Sequence, residues 1–419
     1  MRSRRTVLHA LGMGGMTLPG WRGPVLPAVN VANATATAPQ SVACAAPAST
    51  ERVVRRFADP LLELTRLLRL AAETEHATVL QYLYAAFSLR ADYAAIGVYD
   101  SSGTTMNLLE IAIDRMTHFH TVNRVLVSLG APPHLRSPLL PLMTEVFPFT
   151  LALQPAGRMA LAQFLYREAP FEAFDAAGPD ATDRQLMTDV CAMLGIMDRP
   201  RVRLYAAIAA VASEATHAAI ADMPDLTRWI VPLRLLDTRG EGRFEFLKSV
   251  FQSSHPAFDG HRDAWQLRVT DPHYPAYDVA RGDAACAAWP SHSGTPSADD
   301  LLRLGDLQYT TTLLLLDLYF RQHLPVYRSL AVSHMIGPVQ SIGRHLPRLG
   351  LGMPFRAAGV PDTSALDVRH RLRFVMAVLQ EAQALTEALQ SLLPPNYPMS
   401  VNRETMTSLR ETSARIEAR

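Results

Sequence analysis

The sequence predicts an all-α protein: a helical bundle in its first half, further helices toward the C-terminus, and a long irregular crossover between them. Three observations predict it. Apolar residues recur at helical spacing through most of the chain from Asp59 onward. Few runs alternate with period two, so a sheet is not indicated. Successive amphipathic segments are joined by short loops marked by Gly, Pro and Ser, the pattern of a bundle.

The first helix is carried by Leu61, Leu62, Leu64, Leu67, Leu68 and Leu70, then Val79, Leu80, Leu83 and Phe87, and should end near Arg90. A Ser-Ser-Gly turn at Ser101 to Gly103 leads into a second helix from about Thr105 to Leu129, stopped by Gly130 and the Pro132-Pro133 pair. After a Pro-rich connection, Pro155 to Arg167 reads as a third helix closed by Pro170. Thr182 to Asp222 is helical with a break at Asp198-Arg199-Pro200, and Asp225 to Thr238 forms another helix. His255 to Ser297 is rich in Pro, His, Gly and Asp and reads as the crossover, a length of ordered loop that usually serves function. Helices resume at Asp299 to His323, Pro325 to Arg344 and Ser364 to Leu393. The resulting division is a leader and linker over 1–50, a bundle domain over 59–258, the crossover over 259–298, a C-terminal helical region over 299–393 and a polar tail over 394–419.

With 419 residues the chain can bury a large core without staples. Its 40 Lys plus Arg nearly cancel its 39 Asp plus Glu, which gives no reason to expect a nucleic acid or an anionic membrane as partner. A small-molecule substrate fits this balance, and the oligomeric state cannot be read from it. Cys44, Cys191 and Cys286 are too few and too scattered for a zinc ribbon or a disulfide framework; a Cys191–Cys286 pair and two buried thiols stand as equal readings.

The N-terminus MRSRRTVLHALGMGGMTLPG sets Arg4 and Arg5 before a short apolar, Gly-rich stretch and resembles a twin-arginine export signal, too short and interrupted to span a bilayer. A disordered basic tail is the plain alternative. Val29 to Thr50 is Ala-, Thr-, Ser- and Pro-rich linker, with small-residue cleavage patterns at Ala32-Asn33-Ala34 and Ala43-Cys44-Ala45. The expectation is therefore an exported protein, periplasmic or extracellular.

Several short segments then carry a resemblance. LLRLAAETEHATVLQYLYAAFSL (Leu67 to Leu89) is similar to an AAExEHATxxxYLxAxxSL helix, and IAIDRMTHFHTVNRVLVSLGAPPHL (Ile111 to Leu135) to a helix built around EEMLH. Phe164 to Pro170 resembles FxxIExP. Arg239-Gly240-Glu241-Gly242 with Ser254-His255-Pro256-Ala257-Phe258 is similar to a QGEG and SHxxF pair, and Gly352-Met353-Pro354-Phe355 to GPPFE. Taken in order along about two-thirds of the chain, they resemble the VioB-like iminophenyl-pyruvate dimer synthase family.

The resemblance implies a ferritin-like four-helix core. In such cores two helices each give one Glu and two others give Glu-x-x-His, all facing inward on a metal pair, iron or another divalent metal. It further implies an oxidative coupling of amino-acid-derived imines. Carried over by position, Glu75, His118 and Glu168 stand at ligand positions, with Glu241 and His255 in the later motifs. The carboxylate expected three residues before His118 is Arg115, and the one aligned just before Leu204-Tyr205 is Arg203. Arginine keeps its proton and cannot ligate a cation, so these two would replace the metal as the source of positive charge, forming salt bridges and leaving no cofactor.

The residues also offer a shifted metal site. Glu110, Asp114 and His118 share one helix face, so Asp114 with His118 could supply the missing pair. Glu214-Ala-Thr-His217 is a second Glu-x-x-His, a spacing that also arises by chance. Tyr82, Tyr84 and Tyr205 read as buried rings with satisfied hydroxyls. Two functions stand open: a metal-dependent oxidative enzyme, and a scaffold whose site is closed by Arg–carboxylate pairs.

Overall fold

A computed structural model describes residues 53–98, 106–174, 180–196, 202–217, 226–236, 241–279, 297–357 and 366–417. The leader, the Ser101 to Gly103 turn, the break at Asp198 to Pro200 and Cys286 lie outside the described residues. Within them the chain is helical, with two isolated β-bridges and no sheet, as the periodicity predicts.

Helix α1 spans Pro60–Ser88. Asp59 caps it by accepting from the Leu62 N–H at 2.8 Å, and Pro60 sits at the first helical position, where its missing N–H costs nothing. From Glu63 to Ser88 nearly every residue is buried. A helix apolar on most of its circumference belongs in the middle of a bundle, and α1 is the central rod here.

Helix α2 (Leu108–Ser128) is capped by Asn107, which accepts from Glu110 N at 3.0 Å. It lies along α1, as does α5 (Leu204–His217). Helix α3 (Arg158–Glu168) reaches α1 through side chains: Tyr82 stacks on Phe164, with ring centroids 4.2 Å apart. Helix α4 (Ala181–Leu194) ends at Gly195 with φ +67°, a left-handed cap that glycine takes without strain. Helices α4 and α7 (Glu241–Phe251) pack on α3, and α6 (Thr227–Leu235) packs on α5.

Two stretches differ from the sequence expectation. Glu241–Phe251, unassigned from sequence between the helix ending at Thr238 and the crossover, is a helix; Arg243, Phe244, Leu247 and Val250 form its buried face. Gly242 sits in the first turn, where a missing side chain costs little. The segment 394–419, read as a polar tail, contains helix α12 (Val401–Glu417), whose Asn402, Thr405, Met406 and Leu409 are buried on one stripe. Two apolar side chains at i, i+3 were enough to dock it.

The C-terminal helices are α8 (Ala298–Gln322), α9 (Pro325–His334), α10 (Gln340–His345), α11 (Val368–Ala388) and α12. A Ser297/Asp300 capping box opens α8. Between α9 and α10 the chain makes one π-turn over Met335–Val339. Pro338 has no N–H for the regular ladder, which accounts for the widened turn. α8, α9, α11 and α12 enclose a satellite core of Leu314, Leu315, Leu318, Tyr327, Leu372, Val375, Leu379, Met406 and Leu409. Among the described residues no helix is long and apolar enough to cross a membrane.

Candidate functional site

The centre of the first-half bundle is polar. Glu75 of α1, Arg115 and His118 of α2, Glu168 of α3, Tyr205 of α5 and Arg243 of α7 all converge there with their side chains buried. Arg115 links the two carboxylates: its Nη1 donates to Glu75 Oε1 at 3.2 Å, and its Nη2 donates to Glu168 Oε1. Glu168 also accepts from the Tyr82 hydroxyl at 2.9 Å, and Glu75 from the Tyr205 hydroxyl at 2.6 Å. Arg243 places Nε 2.9 Å from Glu168 Oε2, an ion-pair contact whose N–H is not aligned for a hydrogen bond. Its Nη1 reaches Asp114 Oδ2 at 3.4 Å.

Burial alone pushes a carboxyl pKa up, and here the cations overcome it. Burial raises Glu75, but Arg115, His118 and Tyr205 bring it down to about 2. Glu168, likewise raised by burial, is held far below the ordinary carboxylate range by Arg115 and Arg243. Both therefore remain anions at neutral pH. A third buried cation, Arg167, donates Nη2 to Gln81 Oε1 at 2.6 Å and faces the rings of Tyr82, Phe147 and Phe164. Burial pulls its pKa down, since no carboxylate ion-pairs with it among the described residues.

The predicted residues separate into two groups. Glu75, Arg115, His118 and Glu168 meet at the centre, and Tyr82 and Tyr205 have their hydroxyls paired on its carboxylates. Arg203 does not meet them: it is exposed at the entry to α5, its guanidinium 3.9 Å over the Phe171 ring. Leu204, Tyr205, Ile208 and Ala212 take the buried face of α5, which leaves residue 203 outside. The expectation of a second salt bridge from Arg203 is corrected; Arg243, on a helix unassigned from sequence, supplies it. The signal for Arg243 was the helical spacing of Phe244, Leu247 and Val250.

Of the other candidate ligands, Asp114, His255 and Glu214 make no hydrogen bond or ion pair with Glu75, His118 or Glu168 among the described residues. Asp114 is half-exposed and pairs with Arg243. His255 caps a short 3-10 turn, its Nδ1 accepting from Ala257 N at 3.2 Å. Glu241 opens α7. Glu214 is at the surface, held by Arg55 at 2.7 and 3.0 Å, and His217 Nδ1 meets Ser213 O of its own helix. Cys191 is a free, half-buried thiol.

The donor set decides whether a metal pair fits. Glu75 Oε1 and Glu168 Oε1 are already engaged by guanidinium and phenol donors, Glu168 Oε2 is in ion-pair contact with Arg243, and Arg115 brings positive charge where a cation would sit. Glu75 Oε2 and both ring nitrogens of His118 are the buried ligand atoms left without hydrogen bonds; His118 Nδ1 lies 3.5 Å from Glu75 Oε1. Iron and manganese take up to six oxygen and nitrogen ligands, so these residues do not fit a metal pair. Among the described residues no group of three or more His, Cys, Asp or Glu is placed to hold a metal ion.

A family model described as Ferritin-like matches residues 68–221, the stretch that supplies Glu75, Arg115, His118, Glu168 and Tyr205. With the all-helical architecture, this makes the fold ferritin-like. No curated protein and no solved structure matches the chain.

Proposed function

We propose that the chain is an exported, ferritin-like relative of the VioB-like dimer synthases that works as a metal-free scaffold binding a small ligand or a partner. The observation that carries this reading is Arg115, which bridges Glu75 and Glu168 where the resemblance calls for a metal-binding carboxylate. Kinship with the synthases rests on the ordered segment matches, and export on Arg4-Arg5 with its short apolar run. A ferritin-like fold by itself does not carry a chemistry.

A second reading has its own support. Glu75 Oε2 and the two His118 nitrogens are unpaired buried acceptors and donors, and they favour a reduced, single-metal site in an oxidative enzyme acting on an amino-acid-derived molecule. One preparation tests both. The chain is expressed with its leader in cells supplied with iron and manganese, recovered from the periplasmic fraction, and analysed for bound metal. The scaffold reading expects an exported product with far less than one metal per chain. Iron or manganese near stoichiometry, lost in His118→Ala, would overturn it in favour of the enzyme. A product retained in the cytoplasm would remove the export part.

A further inference from the structure

Away from the bundle centre, the C-terminal end of α1 is the wall of a second feature. Leu89 forms a β-bridge with Ala276, Arg90 N donates to Pro275 O at 2.9 Å, and Tyr277 N donates to Ser88 O at 2.8 Å. These bonds tie the crossover to the end of α1 and set Tyr277 beside it. On the other side α10 comes unusually close to α1, because position 343 is glycine: a Cβ there would lie 2.3 Å from the Phe87 ring. The approach places Arg344 and, four residues on, Arg348 at the same spot.

Between these walls is a cavity of about 90 Å³, lined by Phe87, Ala94, Val98, Tyr277, Arg344 and Arg348 among others. Phe87, Leu89, Ala94 and Val98 make one side of it apolar, and its charge is one-signed. Neither arginine ion-pairs with a carboxylate among the described residues, and the one charged neighbour that acts on Arg344 is Arg348. Arg90, stacked 4.8 Å over Tyr277, adds a third cation nearby. Two guanidiniums held together without an anion repel each other, and an anion between them relieves that repulsion while gaining charge-assisted hydrogen bonds.

An inorganic anion would satisfy the arginines and leave the apolar side, Phe87, Ala94 and Val98, uncovered. We infer that the cavity binds a short-chain organic acid, its carboxylate at Arg344 and Arg348 and its apolar body against Phe87, Ala94 and Val98. The volume equals roughly three liquid waters at about 30 Å³ each, which limits the body to a few carbons. The site is separate from the Arg115 centre and does not depend on the scaffold reading.

Butyrate is the probe, titrated into the full chain by calorimetry, with butyramide and inorganic phosphate as the uncharged and body-less controls. Saturable butyrate binding is expected, with both controls at least about tenfold weaker, the order of a lost charged hydrogen bond. Arg348→Gln, at an exposed position, should weaken butyrate about tenfold while the melting curve stays in place. Ala94→Phe, which fills the cavity, should abolish binding. No saturation at tens of millimolar, equal binding of phosphate or butyramide, or undiminished binding by both variants would overturn the inference.

Discussion

Arg115→Glu is the sharpest perturbation, because it restores the residue type that a ferritin-like metal centre uses and removes the cation that this chain has in its place. The Arg115 side chain is 9% exposed, Glu75 6% and Glu168 1%. In the variant three buried carboxylates would share one site, with Arg243 the one cation among the described residues in ion-pair contact with Glu168. Removing one partner of a buried ion pair costs about 3 to 5 kcal/mol. The added like charge, worth about 4 kcal/mol at 4 Å in a medium of effective dielectric 20, is partly relieved by protonation. A loss of at least about 3 to 5 kcal/mol lowers the melting temperature by roughly 3 to 6 °C for a chain of this size. Circular dichroism melts at neutral pH, with and without added iron(II) or manganese(II), read the effect. Arg115→Met, which deletes the cation without adding an anion, should fall in the same direction. The reasoning is refuted if Arg115→Glu melts with the parent protein, or if metal restores it fully, since a ligand at a hundred times its Kd stabilises by about 2.7 kcal/mol.

The other two predictions concern acid and the C-terminus. Burial lowers His76 to about 3 and His334 to about 4, so both are neutral when folded and take up protons at about 6.5 when unfolded. Their stabilisation is full above pH 6.5 and lost as pH falls toward those values. Glu75, lowered from 4.5 to about 2, adds a further loss below pH 4.5. Melting temperature should therefore decline in two stages on acidification. His334→Gln should flatten the first stage, and a melting temperature that stays level from neutral pH down to 4.5 contradicts these environments. Truncation before Val401 removes Met406 and Leu409 from the satellite core, at about 1.5 to 3 kcal/mol each, and takes Thr405 Oγ1 from His334 Nε2 at 2.9 Å. Guanidinium unfolding of the truncated chain should show a loss of roughly 3 to 6 kcal/mol; an unchanged midpoint would show that α12 does not support the core.

The fold was legible where the pattern is local. Apolar periodicity set helix starts at Asp59, about Thr105, Asp299 and Ser364, and in the structure the caps Asp59, Asn107, Ser297 and Asp367 lie within three residues of them, each accepting a backbone N–H. Glu75, Arg115, His118 and Glu168 were legible as a group because each sits in a segment with its own motif. Arg203 was misplaced because alignment fixes a residue along a helix but not around it: one step before Leu204 is already off the buried face of α5. Arg243 and α12 were missed for the opposite reason. Their burial is decided by long-range docking, α7 on α3 and α12 on α11 and α9, which neither glycine spacing nor polar composition reports.

The centre explains why α7 belongs to the site. A divalent pair neutralises its carboxylates from a point, provided that four helices deliver ligands to it. A guanidinium delivers its charge through a rigid fork of donors, and one fork cannot serve four carboxylate oxygens on two helices. Arg115 reaches one oxygen of Glu75 and one of Glu168, and Glu168 Oε2 would face the interior as an uncompensated acceptor. Arg243 meets that oxygen from α7, outside the matched stretch 68–221. With Arg115, Arg243 and Arg167 opposed to Glu75 and Glu168, the buried charges leave one cation in excess, and it is Arg167 that carries it, set against three aromatic faces that attract a cation without costing a further carboxylate. Seating an arginine between two buried carboxylates is thus not a local change: it goes with a second arginine from α7 and with the aromatic surround of a third.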